Sequence, residues 1–288
     1  MHSRPCKSRA FARPSKALVV AGIHFSHYNP WVSDFSHLSA HSHYSLLDGL
    51  PQIEPLVKAA ANYGMPALAL TDRNNLYGAI EFYKACEKAG VKPILGVDAD
   101  MGVSGVEGHA IFLAENETGY KNLLKLVSRA HLEHPEGPRV GYDNLAENGL
   151  GLIALLPETA LVGRASGALV EELRRAVGET SVYARLGWNG GREGQLRTAG
   201  VAKALGLPLV SGDGTYYLKP DDRESRDIVR RIANPSAAAD GNDRAFASPA
   251  TLEERYREFP EAIAAMEEIV SRASVKLPLG SWIFPEYP

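Results

Sequence analysis

From residue 36 onward, short apolar runs alternate with longer stretches that place their apolar residues at helical spacing. The runs Ser36–Ala40, Ala67–Thr71, Pro93–Ala99, His109–Ala114, Gly151–Leu156, Val182–Gly187 and Pro208–Ser211 have the length and composition of buried strands. Helices are predicted between most of them, over Gln52–Tyr63, Leu76–Ala89, Glu117–Ala130, Ala168–Ala176, Glu193–Leu205 and Asp222–Ile232. The third and fourth runs are separated only by a turn rich in glycine (Gly102, Gly105, Gly108). Gly64, Gly90 and Gly206 each close a helix, with Pro66, Pro93 and Pro208 following shortly after. A glycine there accepts the left-handed conformation that ends a helix, and the proline prevents its continuation. Asn75 is placed to cap the second helix. Strands alternating with helices imply parallel strands covered by helices, and the pattern fits either a barrel or a doubly wound sheet.

Composition narrows the function classes. The chain has 288 residues, with 31 Lys and Arg against 34 Asp and Glu, a net charge of −3. Domains that grip a nucleic-acid backbone over a wide face are usually basic, so broad DNA binding is disfavoured. Cys6 and Cys86 have no further cysteine partners and read as reduced thiols of a cytoplasmic protein. Arg4, Lys7, Arg9, Arg13 and Lys16 precede a short apolar run, Ala17–Ile23. That run is far below the roughly 20 residues of a membrane span, and no small-x-small cleavage site follows it. Residues 1–35 are therefore expected to be a disordered extension, and no membrane association is expected.

In either parallel architecture the chemistry belongs at the C-terminal ends of the strands. His41, Ser42 and His43 follow the first run, Thr71-Asp72-Arg73-Asn74-Asn75 the second, Asp98 and Asp100 end the third, and His109 opens the fourth. Alternate strand residues share a face, so His41 with His43, or Asp98 with Asp100, could converge on one divalent ion. Loop histidines and aspartates facing solvent would produce the same spacing without a metal. Arg223, Arg226, Arg230 and Arg231, interleaved with Asp221, Asp222, Glu224 and Asp227, read as a solvated, ion-paired helix face.

The run from His37 to Gly49, then Ala67–Asp72, Tyr77–Lys84, Gly90–Gly96 and Leu113–Leu126, closely resembles the start of bacterial DNA polymerase III alpha subunits. A looser likeness continues through Leu205–Val210 and Tyr217–Asp222. That part of the family is its polymerase and histidinol phosphatase (PHP) domain. The resemblance implies an α/β fold, a distorted (β/α)7 PHP barrel.

The resemblance also implies a ligand pattern. His41, Asp48, Asp98 and His109 match metal-binding positions. Ser39, Arg73, Glu158, Gly214 and Tyr216 stand where further ligands are expected, although a shift in register would bring Asp213 into that last motif. Arg73 is the decisive substitution, because a guanidinium stays charged at any working pH. At ~4 Å and an effective dielectric near 20 it would cost about 4 kcal/mol per unit of metal charge. Tenfold in affinity is ~1.4 kcal/mol. The expectation is a vestigial site without a catalytic residue or cofactor, in which Arg73 pairs with Asp48, Asp72 or Asp98 in place of the ion. The alternative is an active phosphoesterase, a 3′–5′ exonuclease or pyrophosphatase, using Mn²⁺ or Zn²⁺ on His41, Asp48, Asp98 and His109.

The organisation expected from this is an extension over residues 1–35, a PHP barrel over 36–235, and a segment over 236–288 that leads towards a polymerase core lying outside this chain. The implied role is structural or partner-docking. The partners implied are the remainder of the polymerase alpha subunit and a proofreading exonuclease, with DNA contacted only indirectly.

Overall fold

In the computed structural model the described residues are 35–103, 105–163 and 165–280. The expectations for residues 1–34 and for the final segment from 281 onward lie outside them. The strands are β1 (His37–Ala40), β2 (Ala67–Leu70), β3 (Lys92–Val103), β4 (Val106–Ala114), β5 (Val140–Gly141), β6 (Leu152–Leu156), β7 (Val182–Leu186) and β8 (Leu209–Ser211). The helices are α1 (Ile53–Asn62), α2 (Ala79–Ala89), α3 (Glu117–Glu133), α4 (Tyr142–Asn148), α5 (Glu158–Leu161), α6 (Ser166–Val177), α7 (Gly191–Ala204), α8 (Arg223–Ala233), α9 (Pro249–Tyr256) and α10 (Pro260–Arg272).

All seven predicted strands are present, in the sheet order β1-β2-β3-β4-β6-β7-β8, with short β5 added beside β3. The sheet then curls back on itself. Ala40 bridges Thr215, the His41 amide donates to the Thr215 carbonyl at 2.9 Å, and the Thr215 amide donates to the Ser39 carbonyl at 2.9 Å. These bonds satisfy the outer edge of β1 with the segment that follows β8, which removes an edge otherwise open to aggregation.

The expectation of a wholly parallel sheet needs one correction. β4 runs antiparallel to both β3 and β6. The cause is the glycine turn: β3 and β4 pair down to Val103 and Val106, and a link this short can only fold back, because a parallel return needs a crossover of a dozen or more residues. Gly105 takes the positive φ of 72° that this turn requires. Asn75 is likewise not a helix cap. α2 begins at Ala79, and the Asn75 amide ties down the preceding loop by donating to the Tyr44 and Arg73 carbonyls. The three predicted helix-ending glycines do adopt left-handed φ, 63° at Gly64, 71° at Gly90 and 62° at Gly206.

Strand alternation sorts the apolar residues into two layers. One face of the sheet packs against the surrounding helices through residues such as Leu70, Val97, Phe112, Ala154 and Leu186, with Phe82, Leu126 and Leu173 opposite. The other face fills the barrel with Leu38, Ala67, Ala69, Ile94, Ile111, Leu113, Ile153, Leu155, Tyr183 and Val210. α10, not predicted from the sequence, adds Met266 and Ile269 to this interior cluster. Each fully buried aliphatic side chain of this kind contributes about 1.5–3 kcal/mol.

Gly119 marks a tight contact between layers. A Cβ there would lie 1.9 Å from the Gly151 carbonyl oxygen, and the Gly119 amide is held by the Asn116 side chain at 3.0 Å. Alanine in a helix is ordinarily favoured over glycine by ~1 kcal/mol. Here Gly119→Ala is expected to destabilise the chain, by about 2 kcal/mol, because backbone must move. Urea denaturation measures this, and a neutral or stabilising result would show that the α3–β6 approach is looser than described.

Candidate functional site

Along each interior column the residues change from apolar to polar towards one rim. β3 passes from Ile94 through Gly96 to Asp98 and Asp100, and β7 from Tyr183 to Arg185. β8 continues from Val210 to Gly212 and Gly214, while antiparallel β4 brings His109, paired with Asp100, to the same rim. The barrel is thus an apolar plug below and a polar mouth above.

Asp98 is the centre of that mouth. It is fully buried, accepting from His109 Nδ1 at 2.8 Å on Oδ1 and from His41 Nε2 at 3.2 Å on Oδ2. Burial by itself would raise the carboxyl pKa, but the hydrogen bonds and charge of His109 and His41 outweigh it and hold Asp98 well below the usual carboxylate range. The second nitrogen of His41 faces the Thr215 carbonyl at 3.3 Å, so both of its ring nitrogens meet oxygen acceptors. His41 stacks on Tyr216 with ring centroids 4.0 Å apart, and the Arg226 guanidinium lies over the same Tyr216 ring at 4.0 Å. Burial, followed by the charges of Asp98 and Asp48, pushes the Tyr216 phenol far above its ordinary pKa.

The structure therefore brings His41, Asp98 and His109 together, three of the four predicted ligands. Asp48 is engaged elsewhere, accepting from Arg226 Nη2 at 2.6 Å with Arg230 Nε at 3.6 Å. Arg226 is buried and also binds Asp240 at 2.8 Å, which corrects the reading of its helix as a wholly solvated face. His43 does not join His41: the strand ends at Ala40, and His43 is exposed on the following turn. Asp98 and Asp100 do share a face, and both meet Arg73.

Of its three expected partners Arg73 meets Asp98, and it adds one that was not expected, Asp100. Its closest partner is Asp100, with the Asp98 carboxylate 3.9 Å from Nη1. It does not pair with Asp72, which is consumed in fixing the loop after β1 by accepting from the Ser42 amide (2.7 Å), the Ser42 hydroxyl (2.8 Å) and the Ser45 hydroxyl (2.7 Å). Asn74, at φ 52°, completes the rim by donating to Asp100 at 2.7 Å. Of the other substituted positions, Ser39 accepts from Arg185 Nη1 at 3.1 Å, and Glu158 pairs with Arg197 at 3.1 Å. Gly214 contributes no side chain. Asp213 is held by Trp188 N, Tyr256 Oη and Arg255. Arg185, Arg244, Arg255 and Asp240 were not singled out from the sequence. The only signal for Arg185 was a charge at an interior-facing strand position, which becomes visible only once the facing is known.

These donors do not fit a bound metal as they stand. Both Asp98 oxygens and both His41 nitrogens are spent within the protein. Among the described residues no group of three or more His, Cys, Asp or Glu is arranged to hold an ion. What the mouth can do chemically is hold a buried carboxylate ionised between two imidazoles.

That arrangement has a pH signature. Asp98 has a depressed pKa in the folded state, so its contribution is fully present above the unfolded value near 3.9 and is lost as pH falls towards the folded value. Asp98→Asn is expected to cost about 2 kcal/mol or more at neutral pH. The gap between natural chain and variant should then narrow below about pH 4. Urea midpoints at several pH values read this directly, and a gap independent of pH would rule out Asp98 as the linked group.

Comparison with known proteins agrees with the geometry. The profile of the PHP domain matches residues 37–186. The DNA polymerase III subunit alpha of Borreliella burgdorferi is 32% identical over 286 residues, covering 88% of this chain and 25% of the relative. That of Escherichia coli K12 is 35% identical over 277 residues, covering 88% and 24%. The chain thus spans about a quarter of the length of the curated relatives it matches. Among solved structures, an amidohydrolase from Chromobacterium violaceum superposes with a TM-score of 0.45 at 15% identity, over 63% of this chain and 87% of that one. No helix among the described residues is long and apolar enough to cross a membrane. With its closed α/β sheet, its polar mouth and a match over half its length, this chain belongs to the PHP domain family, and its curated relatives are polymerase III alpha subunits.

Proposed function

We propose that the chain serves as the PHP portion of a polymerase III alpha-type replicative enzyme, as a structural and docking domain with a degenerate metal site. The observation that carries this reading is the state of Asp98. Its two oxygens are taken by His109 and His41, so the residues best suited to hold an ion are bonded to one another. Ser39, Arg73, Glu158, Gly214 and Tyr216 then stand at former ligand positions, and His41, Asp48, Asp98 and His109 are what remains of the set. No residue of this chain is assigned a catalytic role, and no resident cofactor is assigned.

The relatives' name supports the remainder of a polymerase alpha subunit as the partner, and the proposal adds a proofreading exonuclease docked on this domain. The net charge of −3 supports indirect contact with DNA, and a replicative role is exercised in the cytoplasm.

Two measurements test this. Purified chain incubated with Mn²⁺ and Zn²⁺ and then desalted is expected to show near-zero metal by inductively coupled plasma mass spectrometry. One tightly held ion per chain would overturn the degenerate-site reading. It would favour a phosphoesterase working through His41, Asp48, Asp98 and His109, whose phosphate release a chelator abolishes. Separately, the chain is expected to bind a polymerase core or an exonuclease subunit at micromolar concentration. Failure to bind either would count against the docking role.

A further inference from the structure

Arg185 stands on an interior-facing position of β7 and is only 7% exposed. Its stem lies against Gly212, where a Cβ would come 2.7 Å from Arg185 Cγ and 3.0 Å from Cδ. Its Nη1 donates to the Ser39 hydroxyl at 3.1 Å and lies 3.6 Å from where a Gly214 Cβ would be. One side chain therefore reaches from β7 past the continuation of β8 to β1, through the upper interior of the barrel.

Arg185 also differs from its neighbours in charge. Arg73, Arg226, Arg244 and Arg255 each hold a carboxylate. Arg185 makes no ion pair among the described residues, and its hydrogen-bond partner is a neutral hydroxyl. A guanidinium cannot shed its charge, and an unpaired buried charge is tolerated only where its surroundings compensate it. The fully buried carboxylate of the mouth is Asp98.

We propose that Arg185 is the resident cation of the barrel and the residue that keeps divalent metal out of its mouth. This rests on the metal-free reading above and names the device behind it. Exclusion has two parts. Arg185 fills the volume that a side chain at 212 would need and holds the Ser39 hydroxyl, so a larger ligand at 39 or 212 and the arginine compete for the same space. Its fixed positive charge then supplies what Asp98 would otherwise draw from an ion. Arg73, half-exposed on the rim, pairs with Asp100 and lies 3.9 Å from the Asp98 carboxylate, so it adds to this charge from the outside.

The test uses the natural chain, Ser39→His, and Ser39→His combined with Arg185→Met. Ser39→His places an imidazole two residues from His41, on the side that Arg185 now occupies. Mn²⁺ affinity is read by electron paramagnetic resonance titration and folding by circular dichroism. Ser39→His alone is expected to bind no better than the natural chain, and the double variant at least about tenfold tighter. Equal affinity of the single and double variants, whether both bind or neither does, overturns the proposal. If Arg185→Met proves unfolded, Arg185→Gln in the same background keeps a polar end in the interior and is read by the same two outcomes. Tight Mn²⁺ binding by the natural chain overturns instead the metal-free reading on which the proposal rests.

Discussion

The ionised Asp98 carboxylate, wholly enclosed by the barrel, is the constraint around which the mouth is arranged. An enclosed carboxylate costs several kcal/mol unless each oxygen finds a donor and its charge is compensated. Here the donors come from two other strands, His41 beyond β1 and His109 on β4, so the ionised state of one residue depends on the register of three strands. His41 is aimed in turn by the Thr215 contacts that close the sheet and by the Tyr216 ring stacked beneath it. Closure and electrostatics are thus one structure seen from two sides.

Around this centre the arginines are distributed by depth. Arg73 lies on the rim, where a half-exposed pair with Asp100 is worth little in water. Arg226 is the buried residue of α8, inserted between Asp48 and Asp240 and lying over Tyr216, while Ile228 and Ile232 of the same helix stay exposed. α8 is therefore held on the barrel by charge rather than by apolar packing, the reverse of an ordinary amphipathic helix. Deeper still, Arg185 occupies the interior and shares it with Asp98. The aspartates that might have gathered around an ion are each committed to a cation or hydroxyl of the protein. The mouth is in this way part of the packing of the barrel.

Membership of the PHP family and likeness to polymerase III alpha subunits set the scale on which such a barrel acts. The chain corresponds to about a quarter of the length of those relatives. Met266 and Ile269 of α10 join the interior cluster, and Lys92 reaches the Val270 carbonyl at the end of the same helix, so residues beyond 235 are integrated into the core.

Much of this was legible in the residues themselves. Apolar runs bounded by glycine and proline located all seven principal strands, because a strand buried on both faces must be apolar throughout and the chain must turn at each end. The family blocks identified the barrel and pointed to His41, Asp98 and His109. Short α4, α5 and α9 and the two-residue β5 were not legible, since short elements are stabilised by contacts rather than by local pattern. α10, by contrast, carries Ala262, Met266 and Ile269 at helical spacing, and its pattern was there to be read. The antiparallel course of β4 was implicit in its glycine turn. Which charge meets which was decided by tertiary structure alone. Arg73 finds Asp100 rather than Asp48 or Asp72, Asp48 finds Arg226 from 178 residues away, and Arg185 finds Ser39 from 146. A sequence determines which side chains can ionise and which strand positions share a face. Only barrel closure decides which of them are enclosed together, and enclosure is what makes the pairing of charges obligatory.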